Sequence, residues 1–288
     1  MTQPRQLSRR QLLKLSASAL LTAGLWPGRL KAEGDGAAAD FWFCVANDLH
    51  FLDEKCAPFF ENVVSKMKGT GKKLEFCLLA GDLADIGREK PLTGLRDAFK
   101  VLDIPLHAVP GNHDWHEAAD RTPYEQVFPK QLNYSVEYKS WQVIGLDSTE
   151  NKRVQNTNIQ PDTFRWLTQA LPKLDKTRPM IVFTHFPLAP GAKMRPVNAD
   201  ELLGQFKEYN LQAVFCGHYH GFTESKLSQC VITTNRCCSR LRSNHDNTKE
   251  KGFFLCHAKD GHLEREFVQV NQVQGRGDAE NKGAGPGT

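Results

Sequence analysis

Five apolar runs in this chain end, or nearly end, in side chains that can bind a cation. "FWFCVAND" leads into Asp48 and His50, and "LEFCLLAGD" leads into Asp82 and Asp85. "IPLHAVPGN" leads into Asn112, His113 and Asp114. "PMIVFTH" ends on His185, and "LQAVFCGH" runs into His218 and His220. Short apolar runs bounded by turn residues read as buried strands. In an open α/β sheet the carboxyl ends of neighbouring strands converge on one crevice, so residues far apart in sequence reach one place. Carboxylates, an amide oxygen and imidazoles form a mixed O/N donor set, suited to Zn, Mn or Fe rather than to Ca or Mg alone. The stretch "PGNHD" fits that purpose, because Gly permits a tight turn and three consecutive polar side chains would be wasted on a turn alone.

Between the strands the chain alternates regularly. "APFFENVVSKMKG" places Phe59, Phe60, Val63, Val64 and Met67 at helical spacing, with Gly69 as a stop. "LTGLRDAFKVL", "PDTFRWLTQAL" and "NADELLGQFKEYN" read as further helices, the second opening on Pro. "NYSVEYKSWQVIGLDS" reads as a hairpin turning near Lys139 and Ser140. After residue 220 only strands follow, "GFTESKLS", "QCVITT", "GFFLCHA" and "HLEREFVQV", the last two joined at "KDG". The Gly-rich polar stretch 271–288 reads as a disordered tail. Alternating β and α elements closing on antiparallel strands predict a sheet-rich, layered α/β domain.

The ordered set D-x-H, G-D-x-x-D, G-N-H-D, H and G-H-x-H resembles the calcineurin-like metallophosphoesterase superfamily, over roughly residues 41–270. The resemblance implies a four-layer αββα sandwich, two β-sheets flanked by helices, over residues 37–270. It implies two metal ions, drawn from Mn, Fe or Zn. Asp48, His50 and His220 would hold one, Asn112, His185 and His218 the other, with Asp82 bridging them. His113 matches the family's catalytic histidine, and Asp85 the aspartate that orients it. Asp114 either fixes the loop or serves as a plain turn acid. The implied reaction is hydrolysis of a small-molecule phosphate ester by a bridging hydroxide, with His113 as general acid. Two divalent ions against Asp48, Asp82 and hydroxide leave the site near +1, which attracts an anionic ester, and the ions lower the pKa of bound water towards ~7.

"GNHD" with "GHYH" looks more like the bacterial phosphodiesterase branch of the superfamily. Purple acid phosphatases carry Tyr where Asp85 stands, which disfavours that branch. A phosphomonoesterase or nucleotide phosphatase would share the same ligands, and a metal-binding protein without turnover is the reading from another class. The intact His113 and Asp85 speak against the last. Substrate choice falls to loops. "PLAPGAKMRPVN" carries Lys193 and Arg195, and "RCCSRLRSNHDNTKEKG" carries Arg240, Arg242 and His245. Arg195, His116 and Arg240 are the substrate-binding candidates.

The net charge of +4 misleads, because residues 1–32 hold six basic residues and no acid. Without them the chain has 31 basic against 33 acidic residues, so nothing in it suggests a nucleic-acid partner. "SRRQLLK" followed by "LSASALLTAGLW" resembles a twin-arginine translocation signal, with Leu12 at the usual Phe position. Its apolar run is shorter than the ~18–20 residues of a membrane span. Residues 1–36 are therefore expected to export the chain through the twin-arginine machinery, to the periplasm or outside the cell. In an exported chain eight cysteines invite disulfides. Cys44, Cys77 and Cys216 instead read as small buried hydrophobes, while Cys230, Cys237, Cys238 and Cys256 could pair.

Overall fold

The computed structural model describes residues 40–117 and 119–270. The expected export segment, 1–36, and the expected tail, 271–288, lie outside the described residues. The strands are β1 (Phe41–Ala46), β2 (Leu74–Ala80), β3 (Leu106–Val109), β4 (Tyr134–Tyr138), β5 (Trp141–Leu146), β6 (Met180–Thr184), β7 (Leu211–Cys216), β8 (Thr223–Leu227), β9 (Cys230–Thr234), β10 (Lys251–Lys259) and β11 (His262–Val270). The α-helices are α1 (Ala57–Lys68), α2 (Glu89–Lys100), α3 (Thr122–Val127), α4 (Pro161–Ala170) and α5 (Ala199–Gly204). One sheet has the order β11-β10-β1-β2-β3, the other β4-β5-β6-β7-β9-β8. Both are mixed. β1, β2 and β3 run parallel, as do β5, β6, β7 and β9, with antiparallel strands at the edges.

Strand alternation decides the layering. Phe43 and Val45 of β1 face a core between the sheets, together with Phe76, Leu78, Phe183 and Phe215. Cys44 and Ala46 point the other way, into a core with Phe60, Val63, Leu95 and Phe99 of α1 and α2. On the far face of the second sheet, Val182, Val214 and Cys216 pack with Leu167 of α4 and Leu202 of α5. The result is the expected sequence of layers, helix, sheet, sheet, helix. Each fully buried Phe or Val contributes about 1.5–3 kcal/mol through its apolar area, so the central strands hold strongly. That rigidity fixes the strand ends, from which the candidate site is built.

All eight cysteines are free and buried. The pairing left open for the late four does not occur, because Cys230, Cys238 and Cys256 sit in three different core layers. The helix read over 198–210 stops at Gly204, where the chain tightens into i→i+3 turns, with the Gln205 and Phe206 amides donating to Leu202 and Leu203. Helix α3, six residues with Pro123 in its first turn, has no counterpart in the sequence reading. Among the described residues no helix is long and apolar enough to cross a membrane.

Candidate metal centre

Every strand-end residue singled out in the sequence lies at one end of the two sheets, and the backbone there is strained. Asp48 (φ 51°), His50 (50°), Asp82 (49°), His218 (67°) and His220 (47°) all adopt left-handed conformations. That conformation costs roughly 1–2 kcal/mol per non-glycine residue, so five together mark a place where geometry outweighs local preference. The loops hold one another. The Asp48 amide donates to the Gly81 carbonyl (3.0 Å), and the His50 amide to that of Asp82 (2.9 Å). Two glycines make the approach possible. Gly81 has φ 82°, and a Cβ there would meet the His185 ring at 2.5 Å. A Cβ on Gly111 would lie 2.2 Å from the Asp82 amide nitrogen and carboxylate.

The side chains converge in two sets around Asp82. His50 Nε2 and His220 Nε2 are 3.2 Å apart. Asp48 Oδ1 lies 3.3 Å from His220 Nε2, and Asp82 Oδ2 lies 3.5 Å from His50 Nε2. On the other side, His185 Nε2 lies 3.2 Å from His218 Nδ1, 3.2 Å from Asn112 Oδ1 and 3.4 Å from Asp82 Oδ1. The two oxygens of Asp82 thus face different sets. All seven side chains are nine-tenths or more buried.

Each imidazole is held from behind by an oxygen. His185 Nδ1 contacts the Ala80 carbonyl (3.1 Å), His218 Nε2 that of Val154 (2.8 Å), and His220 Nδ1 that of Ser243 (3.1 Å). His50 Nδ1 lies 3.2 Å from the Asp85 carboxylate. An oxygen without a hydrogen can only accept, so the outer nitrogens carry the protons and the inner nitrogens are left as lone pairs aimed at each other. That is how proteins orient histidine ligands. Four facing lone pairs and two buried carboxylates need positive charge between them.

In the cation-free protein, protons supply it. Burial opposes charging His185, but Asp82 and Asp48 outweigh it and hold the imidazole up at about 9. His220 is likewise raised to about 11, against its burial, mainly by Asp48. Burial wins for their partners. His218 falls to about 4, with His185 adding to the effect, and His50 is also lowered. Burial would raise Asp48 and Asp82, yet the neighbouring histidines hold both well below the usual carboxylate range. Each set therefore holds one charged and one neutral imidazole, with the proton where a cation would sit. The mixed oxygen and nitrogen donors fit a metal such as Zn, Mn or Fe.

His113 stands beside the first set. Its ring lies 4.8 Å, centre to centre, from that of His50, its amide donates to Asp82 Oδ1 (2.8 Å), and its Nδ1 lies 3.0 Å from the main-chain carbonyl of Asp85. The expectation that the Asp85 side chain orients His113 needs correcting. The Asp85 carboxylate turns to His50 and to Arg242, whose Nε is 2.7 Å away. Only the Asp85 carbonyl meets His113, because the guanidinium and His50 draw the carboxylate elsewhere. Asp114 is fully buried and accepts from the amides of Leu83, Ala84 and Gly111, tying the second and third loops together. Burial, aided by Asp82, pushes it up to about 7 against those three donors.

A pocket of about 340 Å³ opens over the cluster, walled by Val154, Met194, Leu241, Arg242, Ser243 and His245. His245 stacks on His220, with centroids 5.1 Å apart. The substrate-binding candidates Arg195, His116 and Arg240 do not line it. Arg195 is drawn away by the Leu188 carbonyl and by Asp200. His116 faces Glu117, and Arg240 lines a neighbouring cavity. Arg242 and His245 line it instead. Both were visible as polar side chains in the same loop, but nothing in an aperiodic loop says which of them turns inward. A larger, mostly apolar cavity of about 480 Å³ beside α5 holds none of the converging residues.

A family model described as calcineurin-like phosphoesterase matches residues 41–222, the span that contains every one of these seven converging residues. A glycerophosphodiester phosphodiesterase, GpdQ, of Enterobacter lignolyticus (strain SCF1) is 26% identical over 184 residues, covering 60% of this chain and 66% of that protein. A probable cyclic nucleotide phosphodiesterase of Fibrobacter succinogenes is 26% identical over 170 residues, covering 56% and 63%. The chain thus spans just under two thirds of the length of these relatives. Among solved structures, the purple acid phosphatase PPD1 of yellow lupin (Lupinus luteus) aligns with TM-score 0.62 at 11% identity, over 82% of this chain and 53% of that one, a likeness of fold alone. With the family model covering well over half its length, the chain belongs to the calcineurin-like phosphoesterase family.

Proposed function

We propose that this chain hydrolyses phosphodiesters with two metal ions that share Asp82. One observation carries the reading. Asp82 Oδ2 faces His50 in the set with Asp48 and His220, while Oδ1 faces His185 in the set with Asn112 and His218. A carboxylate used by one ion would have no reason to stand between two complete donor sets. The phosphodiesterases among its relatives support the choice of a diester.

When bound, divalent ions held by these residues would supply Lewis acidity towards an ester oxygen and would bring the pKa of bound water towards ~7. The protein's own residues do the rest. Asp48 and Asp82 hold charge, while Asn112 offers a neutral amide oxygen, so the centre stays positive towards an anionic ester. The Asp85 carbonyl holds the proton on His113 Nδ1. That fixes the ring and leaves Nε2 to carry the proton that the departing alkoxide takes. Arg242, anchored on Asp85, keeps a guanidinium edge at the pocket wall for a phosphate oxygen.

The test is a panel of bis(p-nitrophenyl) phosphate and p-nitrophenyl phosphate with Mn²⁺, Zn²⁺ and Fe²⁺, alongside metal analysis. We expect kcat/KM for the diester to exceed that for the monoester by at least ~10-fold. The opposite preference would make the chain a monoesterase, and no turnover with two ions bound would make it a metal-binding protein. We also propose that residues 1–36 export the folded chain. A reporter fused to them should cross the membrane, and Arg9→Lys with Arg10→Lys should retain it in the cytoplasm. Unchanged export would remove that reading.

A further inference from the structure

Alongside the pocket over the metal ligands lies a second cavity, of about 390 Å³. The two share Leu241, Arg242 and Ser243, which form the wall between them. Among the described residues the second cavity is lined by Arg240, Arg242, Lys249 and Lys251, and by no Asp or Glu. Arg242 is already matched by Asp85. Lys251 meets no carboxylate among the described residues that line the cavity.

Lys251 is 3% exposed at the start of β10. Its Nζ contacts the Arg242 carbonyl (2.6 Å), Cys237 Sγ (2.9 Å) and Asn244 Oδ1 (3.5 Å), none of them a carboxylate. Cys237 Sγ in turn lies 3.1 Å from Asn244 Oδ1 and 3.6 Å from the Arg242 carbonyl, both acceptors. Burying an ammonium is costly, and an anion docked beside it would offset that cost. Lys249, exposed at the rim, adds a further positive charge.

We propose that this cavity binds a second anionic group, a phosphate or carboxylate, carried by the substrate whose diester sits over the metal ligands. The inference rests on the phosphodiesterase reading and sharpens its substrate class. The preferred diester bears a further negative charge on one arm, and Arg242 spans the two groups. The loop that builds the cavity lies beyond residue 222, outside the span matched by the family model, so the preference belongs to this chain's own segment.

Two substrates with one leaving group test this: the p-nitrophenyl ester of thymidine 5′-monophosphate and the same compound with a 3′-phosphate. In the wild-type chain the 3′-phosphate should raise kcat/KM about tenfold, the usual order for a hydrogen-bonded charge, and the gain should lie in KM. In Lys249→Glu the ratio of the two values should fall to about one. In Lys226→Glu, which carries the same charge change on β8 away from the cavity, it should stay near ten. A ratio near one in the wild-type chain would overturn the proposal, as would a ratio untouched by Lys249→Glu. If neither compound is hydrolysed, the diesterase reading falls and binding decides the cavity alone. Calorimetry should then find thymidine 3′,5′-bisphosphate bound more tightly than the 5′-monophosphate, with the advantage lost in Lys249→Glu. Equal affinities would reject the cavity as an anion site.

Discussion

On one side of Asp82 stand Asp48, His50 and His220, and on the other Asn112, His185 and His218. Each side has two imidazoles, but the first adds a carboxylate and the second only an amide. The first side also carries more strain, with three left-handed residues against His218 alone on the second. Its surroundings differ too. His50 leans on a carboxylate that Arg242 fixes, whereas His185 and His218 lean on main-chain carbonyls, with Phe186 packed 4.0 Å from His218. Charge and strain together teach that the halves are unequal by construction. The Asp48 half should grip its ion, and the Asn112 half should hold one loosely enough to keep the centre positive.

Removing Asp82 breaks both halves at once. Asp82→Ala should abolish activity, beyond ~10⁴-fold, and strip metal from both sides, because neighbours of a ligand alone usually account for 10–100-fold in affinity or rate. Metal content by mass spectrometry checks it, and a variant that kept two ions would refute the bridging role. Next in size is His113, which stands on the Asp48 side beside His50. His113→Ala should keep its metal and lose roughly 10²–10⁴ in rate on esters with alkoxide leaving groups, the usual worth of a positioned acid. On an aryl ester, whose leaving group is already a stable anion, the loss should be much smaller. An equal loss on both would mean that His113 binds phosphate instead. Because only the Asp85 carbonyl meets His113, Asp85→Asn should keep that dependence on the leaving group close to wild type.

Smaller changes separate the halves. Asp48→Asn should weaken one ion by at least ~100-fold, more than losing an outer partner does, and leave the other within a fewfold. Asn112→Asp should make the halves alike, tightening the second ion by about tenfold or more, ~1.4 kcal/mol, while slowing turnover of an anionic ester. The smallest expected effect is in protons. His185 and His220 are charged at neutral pH when no cation is bound, so loading should release about one proton per half at pH 7. For His185 the folded value, about 9, lies above the unfolded ~6.5. The stability that its pairing with Asp82 gives the cation-free protein is therefore complete below about pH 6.5 and lost as pH rises through about 9. Apparent metal affinity should climb over the same window. Calorimetry in buffers of different ionisation enthalpy counts the protons, and none released would contradict the charge assignment.

How much of this the sequence disclosed follows the same divide between side chains and backbone. The converging residues were legible because each follows an apolar strand, and the layered α/β class because those strands alternate with amphipathic helices, whereas the four-layer arrangement was implied only by the family resemblance. The oxygens behind the imidazoles were not, since the carbonyls of Ala80, Val154 and Ser243 have no side-chain signature. Nor was the Asp85–Arg242 pair, which joins residues 157 apart in sequence through a loop without period. The expected role of Asp85 failed there, because proximity in a motif does not say which way a carboxylate turns. Helix α5 was overread because Leu202, Leu203 and Phe206 keep helical spacing even where the chain continues as tighter turns.

The most direct measurement is a Mn²⁺ titration of the chelator-treated chain, with free ion followed by electron paramagnetic resonance. Two sets sharing one carboxylate but unequal in charge should bind two ions per chain in two resolved steps. Spin coupling should appear only as the second site fills, since the ions would then share Asp82. Asp48→Asn should erase the tighter step. A single step of one ion, or two ions that never couple, would contradict the shared centre.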